Sequence, residues 1–95
     1  MVLAALGRVS RDVAHAKVKD GALLLDVRSE GEHASGALPG SKNIPVHALG
    51  ARMSELDRGR AIVVYCASGM RSASAASVLR SKGFEVYDLG PASRY

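Results

Sequence analysis

The chain has one cysteine in 95 residues, three prolines, one phenylalanine and no tryptophan. A lone cysteine excludes an internal disulfide, a CxxC redox pair and a cysteine-rich zinc site. The three histidines, His15, His33 and His47, are scattered too widely for a histidine metal site. Aromatics are sparse and there is no basic run, so nucleic-acid recognition has neither a stacking platform nor a charged stripe to use. No segment approaches the ~20 apolar residues of a membrane span. The apolar opening Met1–Gly7 is too short for a secretory core, and Arg8 and Arg11 follow it. Neither sign of charge dominates: 13 Lys+Arg against 9 Asp+Glu leave +4, an excess that suits small anions or solubility alone. What remains is a single cytoplasmic domain over residues 1–95, 47% apolar and held by its core, with no metal or organic cofactor expected.

Helix and strand signals alternate along that domain. Ser10 is placed to cap a helix over Arg11–Lys19, and Gly21 to end it. Ala22–Val27 (ALLLDV) is a continuous apolar run of strand length, the pattern of a strand buried on both faces. Ser29–Ser35 reads as a short helix with Ser29 and Glu32 at capping-box spacing. A Gly36–Gly40 turn and a brief extended Lys42–Ile44 follow. Leu49, Met53 and Leu56 then form one apolar stripe of a helix over His47–Leu56. Ala61–Tyr65 (AIVVY) is the second strong strand, Ala73–Lys82 a helix stopped by Gly83, and Phe84–Leu89 a third strand closed by Gly90 and Pro91. Repeated β-α-β units predict an α/β fold: a small, mainly parallel sheet flanked by helices on both faces.

The chemistry gathers at Cys66. An apolar strand delivers it to a loop, Ala67, Ser68, Gly69, Met70, Arg71 and Ser72, from which a helix starts at once. Ligand sites in open α/β sheets form at the carboxyl ends of strands. The first turn of the next helix offers unpaired N–H groups and a partial positive charge, able to stabilise a thiolate and hold an anion beside it. Gly69 lets the backbone curl into a cradle. Arg71 opposes the helix dipole unless an anion reverses the sign of that interaction. A catalytic Cys66 requires its sulfur to be exposed, ionised and ringed by amide hydrogens; the plain alternative is a small buried hydrophobe.

These residues resemble those of rhodanese-like single-domain sulfurtransferases. Cys66-Ala67-Ser68-Gly69-Met70-Arg71-Ser72 is similar to the family's C-x-x-G-x-R-S loop. Asp26-Val27-Arg28 with Glu32, Gly36-Ala37-Leu38-Pro39-Gly40-Ser41 and Asn43-Ile44-Pro45 resemble its D-V-R…E…G-H-I-P-G-A…N-I-P signature. Gly83-Phe84-Glu85-Val86-Tyr87 and Leu89-Gly90 resemble its closing pattern. The family often has His where Ala37 stands, and Gly and Trp where Pro91 and Tyr95 stand. The chain stops where the family commonly continues, so a C-terminal helix is expected to be short or absent. The resemblance implies persulfide chemistry. Cys66 would take a sulfane sulfur from a small anionic donor such as thiosulfate and pass it to cyanide or a thiol, a protein thiol included. The loop from Ala67 to Ser72 would bind donor and persulfide, with Arg71 drawing the anion in. No cofactor, nucleic acid or membrane is implied.

Several residues carry two readings. Asp26 and Arg28 either line the site or form a structural ion pair, which is the expected outcome. Glu32 is expected to cap its helix and anchor the loop rather than reach the site. Ser68 and Ser72 either donate to a persulfide or cap the helix, and Met70 either shapes access or covers the loop. His33 and His47 are read as surface residues without a role. Two rival functions stand beside sulfur transfer. One is a non-enzymatic sulfur relay or protein-binding module. The other is a cysteine phosphatase or arsenate reductase, whose C-x5-R loop is one residue longer than the C-x4-R from Cys66 to Arg71.

Overall fold

Ser10 opens the first helix, its side chain accepting from the Val13 amide, and α1 runs over Arg11–Lys19. The helix closes with paired bonds, Gly21 N–H to Val18 O and Ala22 N–H to Lys17 O, with Gly21 at φ +106°. This closure needs a left-handed residue just past the helix end, which glycine supplies without strain. The structure is a computed structural model that describes residues 7–95, so Met1–Leu6, most of the apolar opening segment, lie outside it. β1 (Leu23–Asp26), α2 (Glu30–Ser35), β2 (Lys42–Asn43), α3 (Leu49–Arg52), β3 (Ile62–Cys66), α4 (Met70–Ser81) and β4 (Val86–Pro91) follow. The four strands form one fully parallel sheet in the order β2-β1-β3-β4.

The pleat sends alternate residues to two apolar layers. Ile62, Val64 and Cys66 of β3 pack with Leu25, Val27 and the α4 residues Ala75, Ala76 and Leu79. Val63 and Tyr65 pack on the other face with Ala14 of α1, Leu24 and Leu89. Each fully buried Leu, Ile or Val contributes on the order of 1.5–3 kcal/mol, and β3, buried throughout, is the centre of both layers. The expected α/β arrangement with helices on both faces is therefore present. No helix among the described residues is long and apolar enough to cross a membrane.

Three of the boundaries that differ from the sequence reading have a local reason, and β4 also runs on through Gly90 to Pro91, past its expected end at Leu89. The stretch His47–Leu56 is not one helix but a 3-10 turn (Val46–Ala48), the short α3 and a second 3-10 turn (Met53–Glu55). The backbone departs from regular helix at Ala48 (φ −97°, ψ −6°) and at Arg52 (φ −108°, ψ +11°), on either side of Gly50, which stays inside α3. The apolar stripe survives the break, with Leu49 and Leu56 buried. The last strand starts at Val86, not Phe84. Phe84 N–H is spent on Leu79 O and Gly83 N–H on Arg80 O, which together close α4. α4 itself starts at Met70 rather than Ala73, because half of the presumed loop is its first turn. At the C-terminus a single 3-10 turn, Ala92–Arg94, follows β4.

Candidate active site

β3 ends on Cys66, and the chain turns within three residues into α4. Gly69 is the N-cap of that helix, in the left-handed region at φ +105°, and no side chain caps it. The acceptor in the capping position is the cysteine sulfur. Gly69 N–H lies 2.9 Å from Sγ and Ser72 N–H 3.3 Å from it. A capping side chain ordinarily takes the amide three residues into the helix, which is the role Sγ plays for Ser72. Ser72, fully buried, turns its hydroxyl to Gly69 O at 3.1 Å and ties the cap to the first turn.

Burial pushes the Cys66 thiol up. The hydroxyl and amide of Ser72, with the amides of Gly69 and Arg71, outweigh it and hold the pKa below the ordinary thiol value. The amides thus point inward as the sequence suggests. The exposure expected of a nucleophile is not there: Cys66 is 0% exposed, beneath the turn and against the α4 layer. Ala67 and Ser68 are exposed on the outer side of that turn, and Met70 is 80% exposed at its rim.

Arg71 is also placed differently from the reading that gave it an open anion site. Its guanidinium makes a two-point contact with Glu32 of α2, at 2.7 and 3.0 Å, both side chains about a third exposed. Glu32 completes the expected capping box with Ser29 as well. Arg71 and the amide and hydroxyl of Ser29 hold its carboxyl down to about 2. One carboxylate therefore joins the start of α2 to the start of α4.

The Asp26 corner lies at the end of the neighbouring strand. Asp26 is fully buried and accepts from Arg28 Nε (2.9 and 3.1 Å), Arg28 Nη2 (2.8 Å) and Arg28 N–H (2.9 Å). This is the structural ion pair expected of Asp26 and Arg28. Burial pushes the Asp26 carboxyl up, and the bonds from Arg28 and His33 bring it below its ordinary value. His33, read from the sequence as a surface residue without a role, is a correction: Nδ1 lies 2.9 Å from Asp26 Oδ2. Buried Tyr65 adds its hydroxyl at 3.1 Å, and Asn43 donates to the carbonyls of Asp26 and Arg28. Asp26 lies in β1 and His33 in α2, so no helical spacing relates them and the sequence carries no signal for the pair. Nothing in the sequence marked the Tyr65 hydroxyl. His47 is exposed, as expected. Among the described residues no group of three or more His, Cys, Asp or Glu gathers to hold a metal ion.

Comparison with known proteins gives this geometry a family. Residues 10–90 match the rhodanese-like domain. A sulfurtransferase of Allochromatium vinosum is 40% identical over 62 residues, 65% of this chain and 58% of that protein, so the chain spans little over half of this relative. The thiosulfate sulfurtransferase GlpE of Stutzerimonas stutzeri is 35% identical over 83 residues, covering 86% of this chain and 76% of the relative. Among solved structures, the human single-domain sulfurtransferase TSTD1 superposes with a TM-score of 0.76 at 28% identity, covering 93% of this chain and 90% of that one. A sheet of this order with its cysteine at the head of α4, and a family match over most of the sequence, lead to one assignment: the chain belongs to the rhodanese-like domain family.

Proposed function

We propose that the protein is a sulfurtransferase that carries sulfane sulfur on Cys66. The supporting observation is the contact of Gly69 and Ser72 amides with Sγ. Thiolate Cys66 attacks the outer sulfur of thiosulfate or a similar donor. A new S–S bond forms, the donor's S–S bond breaks, and sulfite leaves with its electron pair. The Cys66 persulfide then holds one negative charge on its outer sulfur. Cyanide or a thiolate acceptor attacks that atom, the Cys66 S–S bond breaks, and the thiolate is restored. This is two-step covalent catalysis needing no proton shuttle, which suits a site without a general base beside the sulfur.

Backbone donors fit both halves of the cycle, because they stabilise whichever sulfur bears the charge. With Sγ beneath the 67–70 turn, a donor enters as that turn yields, and exposed Met70 offers acceptors an apolar rim. In this reading the amides of Ala67 and Ser68, on the exposed side of the turn, meet the outer sulfur or the donor oxygens. The single unpaired thiol suits a reducing, cytoplasmic compartment. The short C-x4-R loop, with Arg71 engaged by Glu32, argues against phosphoryl chemistry.

The test is a mass spectrum of the protein after incubation with thiosulfate. A gain of about 32 Da, one sulfur atom, is expected, and Cys66→Ser abolishes it. No gain with thiosulfate or with an organic persulfide overturns the enzymatic reading and leaves a binding module.

A further inference from the structure

Since Glu32 engages Arg71, the question is which cation faces an anionic donor. A second arginine reaches the same turn from the far edge of the sheet. Arg8 forms a parallel bridge with Asp88, and Val9 N–H donates to Asp88 O at 2.8 Å, which lays this segment along β4. The Arg8 side chain then crosses Gly90 and Gly69. A Cβ on Gly69 would stand 1.9 Å from Arg8 Nη2, and one on Gly90 2.7 Å from Nε. Both glycines have positive φ, +105° and +84°, so the slot is closed to side chains twice over, by backbone conformation and by Arg8 itself.

Arg8 Nη2 also lies 3.4 Å from Ser68 O. Standard bond lengths, traced from Sγ through the Gly69 amide, put this nitrogen within about 8 Å of the sulfur. Among the described residues no carboxylate comes within 4 Å of the Arg8 guanidinium. Its bridge partner Asp88 turns Oδ1 to the Gly90 amide at 2.9 Å. Arg8 thus brings a positive charge with no salt-bridge partner among the described residues to the turn over Cys66, held in a slot of two glycines, whereas Arg71 is paired with Glu32.

We propose that Arg8 is a specificity-determining residue of this site, favouring small oxyanionic sulfur donors over uncharged ones at Cys66. The identity of the donor rests on the persulfide reading; the local positive field does not. The test compares alkylation of Cys66 by iodoacetate, an anion, and by iodoacetamide, its neutral analogue. Both reagents consume the same thiolate, so their rate ratio cancels changes in ionisation, nucleophilicity and loop opening. In Arg8→Gln the iodoacetate-to-iodoacetamide ratio is expected to fall about twofold or more at low salt, as a unit charge at this distance from a monoanion requires, and Arg8→Lys to retain it. The difference shrinks at 1 M salt. The KM for dianionic thiosulfate rises about fivefold in Arg8→Gln with kcat held. An unchanged ratio in Arg8→Gln, or an equal fall in Arg8→Lys, overturns the proposal. A ratio that shifts as expected in a protein that gains no sulfur from thiosulfate or from an organic persulfide upholds Arg8 and overturns the persulfide reading. Sulfur uptake with ratio and KM unchanged does the reverse.

Discussion

The two central strands each end in a buried acidic group, and the two ends are built differently. Asp26 closes β1 and is met by side chains: the guanidinium of Arg28, the imidazole of His33 and the hydroxyl of Tyr65. Cys66 closes β3, one residue past the Tyr65 that pairs with Asp26, and is met by backbone amides and the first turn of a helix. A carboxylate matched by a cation is consumed by its partners, so its contribution is structural. A thiolate held by amides has no countercharge to displace when its sulfur extends or departs. In parallel strands lying side by side, the choice of donor separates an anchor from a reactive group.

Neutralising the anchor is the most severe way to break this comparison. Asp26→Asn keeps the shape but leaves the Arg28 guanidinium, 12% exposed, without its charge partner. Removing one member of a buried pair costs about 3–5 kcal/mol, and urea unfolding is expected to show a loss of that order. A loss under ~1 kcal/mol would make the corner no stronger than a surface pair. Acid acts in the same direction. The folded carboxyl titrates below its ordinary value, so its stabilisation is complete above the unfolded pKa of ~3.9 and is lost as pH falls through the lowered folded value.

A smaller effect tests the reactive end. Since the Ser72 and Gly69 donors hold the thiol below its ordinary value, the rate of iodoacetamide alkylation should titrate with a midpoint under the ~8.5 of a free thiol. Ser72→Ala removes the buried hydroxyl and should move that midpoint upward while leaving the Gly69 amide in place. A wild-type midpoint at or above 8.5 would mean that burial dominates and that the two strand ends do not differ as described.

Much of this contrast is legible in the sequence, and the rest is hidden for physical reasons. Apolar runs such as Ala22–Val27 and Ala61–Tyr65 declare buried parallel strands, and the Ser29–Glu32 spacing declares a capped helix, because both signals are local. The cradle is legible in outline, since cysteine, glycine and helix follow one another directly. Depth is not local. That Cys66 has no exposed surface depends on how α4 lies against β3, and the sequence around the loop is the same whether the sulfur is open or covered. Pairings between distant segments are hidden for the same reason. Glu32 is spaced for a cap, and only the fold shows that its carboxylate also takes Arg71, 39 positions on. Arg8 lies 60 positions from the turn it covers and carries no motif.

That Glu32–Arg71 pair supplies the smallest test. Glu32→Gln is chosen because glutamine still serves the capping box with Ser29, so α2 keeps its cap and only the charge pairing is lost. Glu32 titrates near 2 and remains ionised throughout any practical assay, so the change removes one standing negative charge near the site and releases one guanidinium. Both groups are about a third exposed, and exposed pairs are weakened by solvent and by salt. The KM for thiosulfate is therefore expected to fall only about twofold at low ionic strength, and the difference to vanish at high salt. A KM that rises instead would show that the pair aligns the first turn of α4 against Sγ. It would then be positioning the cradle, and a side-chain ion pair would be supporting the reactive end as it does the anchored one.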